Sequence, residues 1–252
     1  MSKLEQQTID KLFRDLIRVY STSATSIIGL DAIKMAITEL ACDDEDLALA
    51  INKLSDSIKE TKPRMFPIDN LMLILDREVQ SLLNANQLTK KSIINLIDDF
   101  KLRLDSDLDS LIQKSLEWIE DGDFIVIHSI EENIENLIPE ASQRGKKFKI
   151  LVLKQDIITT GKILKILREN NIDFEVIPEY DLVHYFGEIT KLFIGTQALT
   201  NDNYIICDSG TSNIVSECHI HKVPICLFLK SLKFSNYPAS DQNIHKNSYK
   251  DE

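Results

Sequence analysis

Phe193-Ile194-Gly195-Thr196-Gln197, a polar turn, then Tyr204-Ile205-Ile206-Cys207-Asp208-Ser209-Gly210-Thr211-Ser212 is the stretch that decides how this chain folds. An apolar run ends in Gly-Thr-Gln, a second apolar run follows, and Ser-Gly-Thr-Ser opens a helical pattern that stops before Val223-Pro224. Two strand ends and a helix start brought together in this way are the place where open α/β sheets bind ligands, because backbone N–H groups and the helix dipole favour an anion there. The polar residues present do not form an evident catalytic set, so the stretch reads either as a working active site or as a remnant serving a binding surface.

Outward from this stretch the same rhythm continues. Short apolar runs at Phe124–His128, Phe148–Leu153, Phe174–Ile177, Lys191–Ile194, Tyr204–Ile206 and Val223–Leu229 lack strict alternation, as strands buried on both faces do. Helical patterns at Glu131–Gln143, Thr159–Asn170 and Thr211–Lys222 lie between them and predict crossovers and a largely parallel, Rossmann-like sheet. Upstream of Asp121-Gly122-Asp123 the period changes. Leu30, Ile33, Ile37 and Leu40, then Leu47, Ile51, Leu54 and Ile58, recur at three and four, the spacing of amphipathic helices. Thr89 reads as a helix cap, and Pro63 and Pro67 as the end of the third helix. The expected organisation is an all-helical domain over 1–120 followed by a Rossmann-like α/β domain over 121–252.

Composition narrows the function classes. With 252 residues, 43% of them apolar, the chain can build a substantial core. A net charge of −11 argues against general affinity for nucleic acid or anionic membranes, and no apolar run approaches the roughly 20 residues of a membrane span. Four cysteines, Cys42, Cys207, Cys218 and Cys226, include no CxxC pair, which argues against zinc and a disulfide framework and fits a reducing, cytoplasmic location. No cofactor and no metal are expected. His219 and His221 lie two apart and diverge by about 200° on a helix of 3.6 residues per turn. Asp43–Asp46 suits a helix start better than an EF-hand loop.

Several residues carry two readings each. Ser209-Gly210-Thr211-Ser212 is either a phosphate-cradling nest or an ordinary hydroxyl-capped helix start. Cys207 with Asp208 is either a thiol nucleophile with an acidic partner or a buried cysteine packing as a small hydrophobe. His128 is a proton carrier or a strand-end histidine held by its surroundings. Arg64, beside Lys62, is the best phosphate contact from the helical half, against the default of a solvated arginine.

In order and spacing, Val126-Ile127-His128-Ser129, Arg144-Gly145-Lys146-Lys147-Phe148-Lys149-Ile150, Thr160-Gly161-Lys162, Ile194-Gly195-Thr196-Gln197, Ile205-Ile206-Cys207-Asp208-Ser209-Gly210-Thr211 and Lys230-Ser231-Leu232-Lys233-Phe234 resemble the alpha, beta and delta regulatory subunits of translation initiation factor 2B. That family shares its fold with the methylthioribose-1-phosphate and ribose-1,5-bisphosphate isomerases. The likeness covers nearly all of 123–235. In the helical half it rests on Ile28-Gly29 before a helix with Ala32 and Ala36, and on Lys62-Pro63 with Asn70-Leu71 downstream.

The departures decide what the resemblance implies. The isomerases carry a cysteine after the strand-end histidine, where this chain has Ser129. They carry an aspartate where it has Gln197, and Asn-Lys before the helix-opening glycine region where it has Cys207-Asp208. A serine lacks the easily formed thiolate, and an amide cannot accept and return a proton as a carboxylate does. The resemblance therefore implies a non-catalytic regulatory subunit that forms a homodimer through its C-terminal domain. It implies binding to the alpha subunit of translation initiation factor 2, with a nucleotide or sugar phosphate as a further ligand of the strand-end site. The alternative is an aldose-ketose isomerase of a phosphorylated pentose that uses Ser129 or Cys207 in an altered arrangement.

Overall fold

The computed structural model describes residues 11–12, 15–16, 22–39, 44–61 and 66–241. They fall into two compact units. One comprises the helices up to Ser106 with Thr200–Tyr204 and the segment from Ser231, the other Asp107–Leu199 with Ile205–Lys230. The division thus falls inside a helix, whereas the change of sequence rhythm at Asp121-Gly122-Asp123 lies at the turn before the first strand.

The helical unit is built from α1 (Thr22–Glu39), α2 (Asp44–Lys59), α3 (Phe66–Asn84) and the first part of α4 (Lys90–Ser115). In its core Leu30, Ile33, Ile37, Leu47, Ile51 and Ile58 of the three-and-four pattern read from the sequence are buried together with Leu71, Leu75, Ile93 and Ile97. Each such side chain contributes about 1.5–3 kcal/mol relative to exposure. Gly29 lies within α1 rather than ahead of a helix. A Cβ there would come 2.6 Å from Ile68 Cδ1, so the glycine lets α1 and α3 approach closely. Pro67 opens α3 instead of ending the preceding helix, since the first turn has no use for its missing N–H. Thr89 caps α4 reciprocally: its Oγ1 accepts from Ser92 N–H at 3.0 Å, and its own N–H donates to Ser92 Oγ at 2.9 Å. The C-terminal segment is tied to α3 by Asn70, whose Nδ2 donates to the carbonyls of Leu232 and Phe234, both at 2.6 Å.

The α/β unit is a five-stranded parallel sheet of order β3-β2-β1-β4-β7, with β1 (Phe124–His128), β2 (Lys149–Leu153), β3 (Asp173–Ile177), β4 (Lys191–Gly195) and β7 (Ile225–Phe228). Alternation along each strand sorts the residues between two cores. Ile125, Ile127, Ile150, Val152 and Phe193 pack with α5 (Glu132–Gln143) and α6 (Ile157–Glu169) on one face. Phe124, Val126, Leu151, Leu153, Leu192 and Ile194 pack on the other with α7 (Thr211–Ile220) and the 3-10 segment Glu179–His184. Strands covered on both faces explain the unbroken apolar runs. The run at Tyr204–Ile206 departs from expectation. It is no member of the parallel sheet: β6 (Ile205–Ile206) pairs antiparallel with β5 (Ala198–Leu199) in a small hairpin, because the intervening turn is too short for a crossover.

Candidate functional site

The order of the sheet reverses between β1 and β4, so their C-terminal ends form the topological switch point of a doubly wound fold. His128 ends β1 and, being in register with Phe124 and Val126, faces α7. Its ring is fully buried. Nδ1 lies 3.0 Å from Thr211 Oγ1, and Nε2 lies 2.8 Å from Glu179 Oε1. Against an ionised Glu179, Nε2 carries hydrogen and donates. Thr211, the first residue of α7, also reaches the Asp208 carbonyl at 2.8 Å. Gly210 supplies the left-handed turn into α7 with φ 91°, and a Cβ on it would meet Glu179 Oε2 at 2.6 Å.

Ser129 follows His128 with φ 51° and is fully buried. Its Oγ accepts from the Asp208 N–H at 3.1 Å, which locks the β6–α7 turn to the end of β1. Asp208 in turn accepts from two amides, Gln197 Nε2 at 2.6 Å and Gln155 Nε2 at 2.8 Å. Gly195 makes the crowding at this corner possible. A Cβ there would stand 2.4 Å from the Ser129 carbonyl and 2.8 Å from the Glu131 nitrogen. The Cys207 thiol is pushed up to about 11 by burial and by the neighbouring Asp208 charge, outweighing its hydrogen bonds to Ser129 and Thr196. It is protonated at neutral pH and is a poor nucleophile.

The structure thus brings His128, Ser129, Gln197, Asp208, Gly210 and Thr211 together, and leaves Ser209 exposed beside them. Arg64 lies outside the described residues. Two participants escaped the sequence reading. Glu179 stands 51 residues from His128, and Gln155 stands 53 from Asp208. Their only sequence signal is a polar residue just beyond a strand end, at Ile177-Pro178-Glu179 and Leu153-Lys154-Gln155. Among the described residues no group of three or more His, Cys, Asp or Glu is arranged to hold a metal ion, and no helix is long and apolar enough to cross a membrane. His221 stacks on Phe186 with ring centroids 3.9 Å apart. A cavity of about 540 Å³ at the β3 edge is lined by Glu175, Ile177, Asp181, His184, Tyr185 and Glu188. It shares no residue with the strand-end cluster, and its three carboxylates suit it poorly to an anion.

The chain thus holds a helical unit and a doubly wound α/β unit, with hydroxyl, amide, imidazole and carboxylate groups gathered at the switch point of the second. The chain belongs to the initiation factor 2 subunit family, whose model matches residues 18–252. It is 25% identical over 211 residues to a translation initiation factor eIF-2B subunit 2-like protein of Pyrococcus furiosus, covering 82% of this chain and 71% of that one. It is 21% identical over 221 residues to a ribose 1,5-bisphosphate isomerase of Haloferax volcanii, covering 87% and 68%. The fold matches a chain of the tetrameric eIF2B-beta2-delta2 complex from C. thermophilum with a TM-score of 0.77 at 13% identity, covering 94% and 82%.

Proposed function

We propose that this chain is a non-catalytic regulatory or interaction protein of the initiation factor 2B type, acting in the cytoplasm. It self-associates through its α/β domain and binds a subunit of translation initiation factor 2. One observation carries the reading: at the strand ends, the positions at which the isomerases keep a thiolate and a proton-shuttling aspartate hold Ser129 and Gln197, both engaged in internal hydrogen bonds with Asp208. The neighbouring Cys207 thiol, pushed up to about 11, does not replace the missing nucleophile. The charge of the cluster disfavours a phosphorylated ligand. Among the described residues no Lys or Arg bonds to His128, Glu179, Asp208 or Thr211, while two carboxylates stand in the cluster.

The test mixes the purified protein with purified subunits of translation initiation factor 2 and follows co-elution and mass. Capture of the alpha subunit by a dimer is expected, and no association with any subunit of the factor sinks the proposal. Ribose 1,5-bisphosphate supplied to the same preparation should remain unconverted. Turnover that disappears in Cys207→Ala would establish the isomerase alternative instead.

A further inference from the structure

The 3-10 segment Glu179–His184 turns once every three residues, so positions three apart share a face. Glu179 and Leu182 form the inward face, the first on His128 and the second in the core. Tyr180 and Val183 form the second face, 80% and 59% exposed, an apolar ridge open to solvent. Asp181 and His184 form the third and line the cavity of about 540 Å³ at the β3 edge, together with Glu175, Ile177, Tyr185 and Glu188. One short element thus sets an exposed apolar ridge directly beside an acidic cavity.

The carboxylates of that cavity are unequally matched. Both oxygens of Glu175 are engaged, Oε1 by the Lys149 ammonium and Oε2 by the Tyr185 hydroxyl at 2.9 Å. Among the described residues Asp181 and Glu188 have no side-chain hydrogen bond and no ion pair. Two carboxylates in a concave wall without a bonded counter-charge raise the local negative potential and draw a cation. The space is that of a small-molecule or side-chain site and far exceeds a bare ion, and among the described residues no three His, Cys, Asp or Glu converge to hold a metal. An ammonium or guanidinium on a flexible stem fits both facts, while the apolar ridge beside the cavity suits the rest of a peptide chain. We propose that this surface docks a basic and apolar segment of a partner protein. An arginine or lysine of the segment enters the cavity against Asp181 and Glu188, and a neighbouring apolar side chain covers Tyr180 and Val183.

This inference goes beyond the partner-binding reading, which stands or falls on capture of the initiation factor subunit whatever this surface does. It is tested on the full-length protein by fluorescence polarisation with a labelled hexapeptide of alternating leucine and arginine, and with a leucine-glutamate hexapeptide as control. The leucine-arginine peptide should bind saturably and the leucine-glutamate peptide should not. Asp181→Asn with Glu188→Gln should weaken binding about tenfold, and Tyr180→Ser with Val183→Ser by a similar factor. None of these four side chains is buried, so the variants should melt as the wild type does. Asp107→Asn with Asp109→Asn removes the same charge from an exposed stretch of α4 and should leave binding unchanged. Absence of saturable binding, or equal weakening by the α4 pair, would overturn the proposal. Binding indifferent to Tyr180 and Val183 would make the cavity a site for a free polyamine and overturn it too. Loss of self-association in the Tyr180→Ser, Val183→Ser variant would assign the surface to a second copy of the chain, with the same consequence.

Discussion

Asp123 shows how one residue serves the sheet. It is 5% exposed, pairs with Lys191 Nζ at 2.7 Å, accepts from Thr190 Oγ1 at 2.7 Å, and accepts from the Glu120 N–H at 2.7 Å. Burial raises its carboxyl, but the hydrogen bonds from Lys191, Glu120 and Thr190 outweigh burial and hold it below the ordinary aspartate range. Asp123→Asn should lower stability by about 2 kcal/mol at pH 7, less than for a fully buried pair because Glu120 stands 3.6 Å from the same ammonium. A depressed carboxyl contributes its stability above the ordinary value of about 3.9 and loses it as pH falls through the folded value. The gap between variant and wild type in urea unfolding should therefore shrink markedly at pH 3. For Cys207 the expectation is kinetic: with the thiol pushed up to about 11, its alkylation at pH 7.5 should be far slower than that of a free thiol. Rapid, selective labelling of Cys207 by mass spectrometry would contradict that.

At the scale of elements, the β4 end and the β1–α5 loop meet only because residue 195 has no side chain. Gly195→Ala drives a methyl into the Ser129 carbonyl and the Glu131 backbone, neither of which can rotate away. A loss of about 2–3 kcal/mol is expected in denaturant unfolding, well beyond what helix or strand propensity would predict. The C-terminal segment tests a different element. Both carbonyls that Asn70 holds belong to it, so Asn70→Ala should cost about 1 kcal/mol and make the chain beyond Ser231 the first site of limited proteolysis. Unchanged cleavage there would show that the apolar packing of Leu232 suffices on its own.

For the whole molecule, the perturbed groups define a pH window. Asp123, Asp156, Glu175 and Asp202 all sit below their ordinary values: Asp156 through the backbone and hydroxyl donors of α6 against the effect of burial, Glu175 through Lys149 and then Tyr185, Asp202 through Thr200. Their contributions are present above about pH 4.5 and are lost together in acid. Lys149 is raised by Glu175, Tyr185 likewise, and Lys59 by Asp56 and Asp76 against burial. Those contributions are present below about pH 10 and are lost as pH rises through the folded values. Melting temperature measured from pH 3 to 11 should form a plateau between about 5 and 10 with a fall on each side. A maximum in the acid range would show that relief of the −11 net charge outweighs these pairs.

The linear sequence determined the helical half, the strand-helix rhythm of the second half and the identity of the switch-point residues His128, Ser129, Gln197, Asp208 and Thr211, because periodicity and strand-end chemistry are local properties. It misplaced Pro67, which starts α3, since a proline ends one helix and opens the next by the same missing N–H. It also assigned Tyr204–Ile206 to the main sheet, because a three-residue apolar run carries no record of its partner strand. Glu179 and Gln155 stayed invisible for the same reason. Each is an ordinary polar residue until the parallel sheet brings the ends of β1, β2, β3 and β4 to one edge, and the fold alone makes Glu179 the neighbour of His128 and Gln155 the neighbour of Asp208. Which residues can join a cluster was written in the sequence. Which charges face one another across it was decided by tertiary structure, because hydrogen bonds over about 50 residues of chain depend on strand order and not on local pattern.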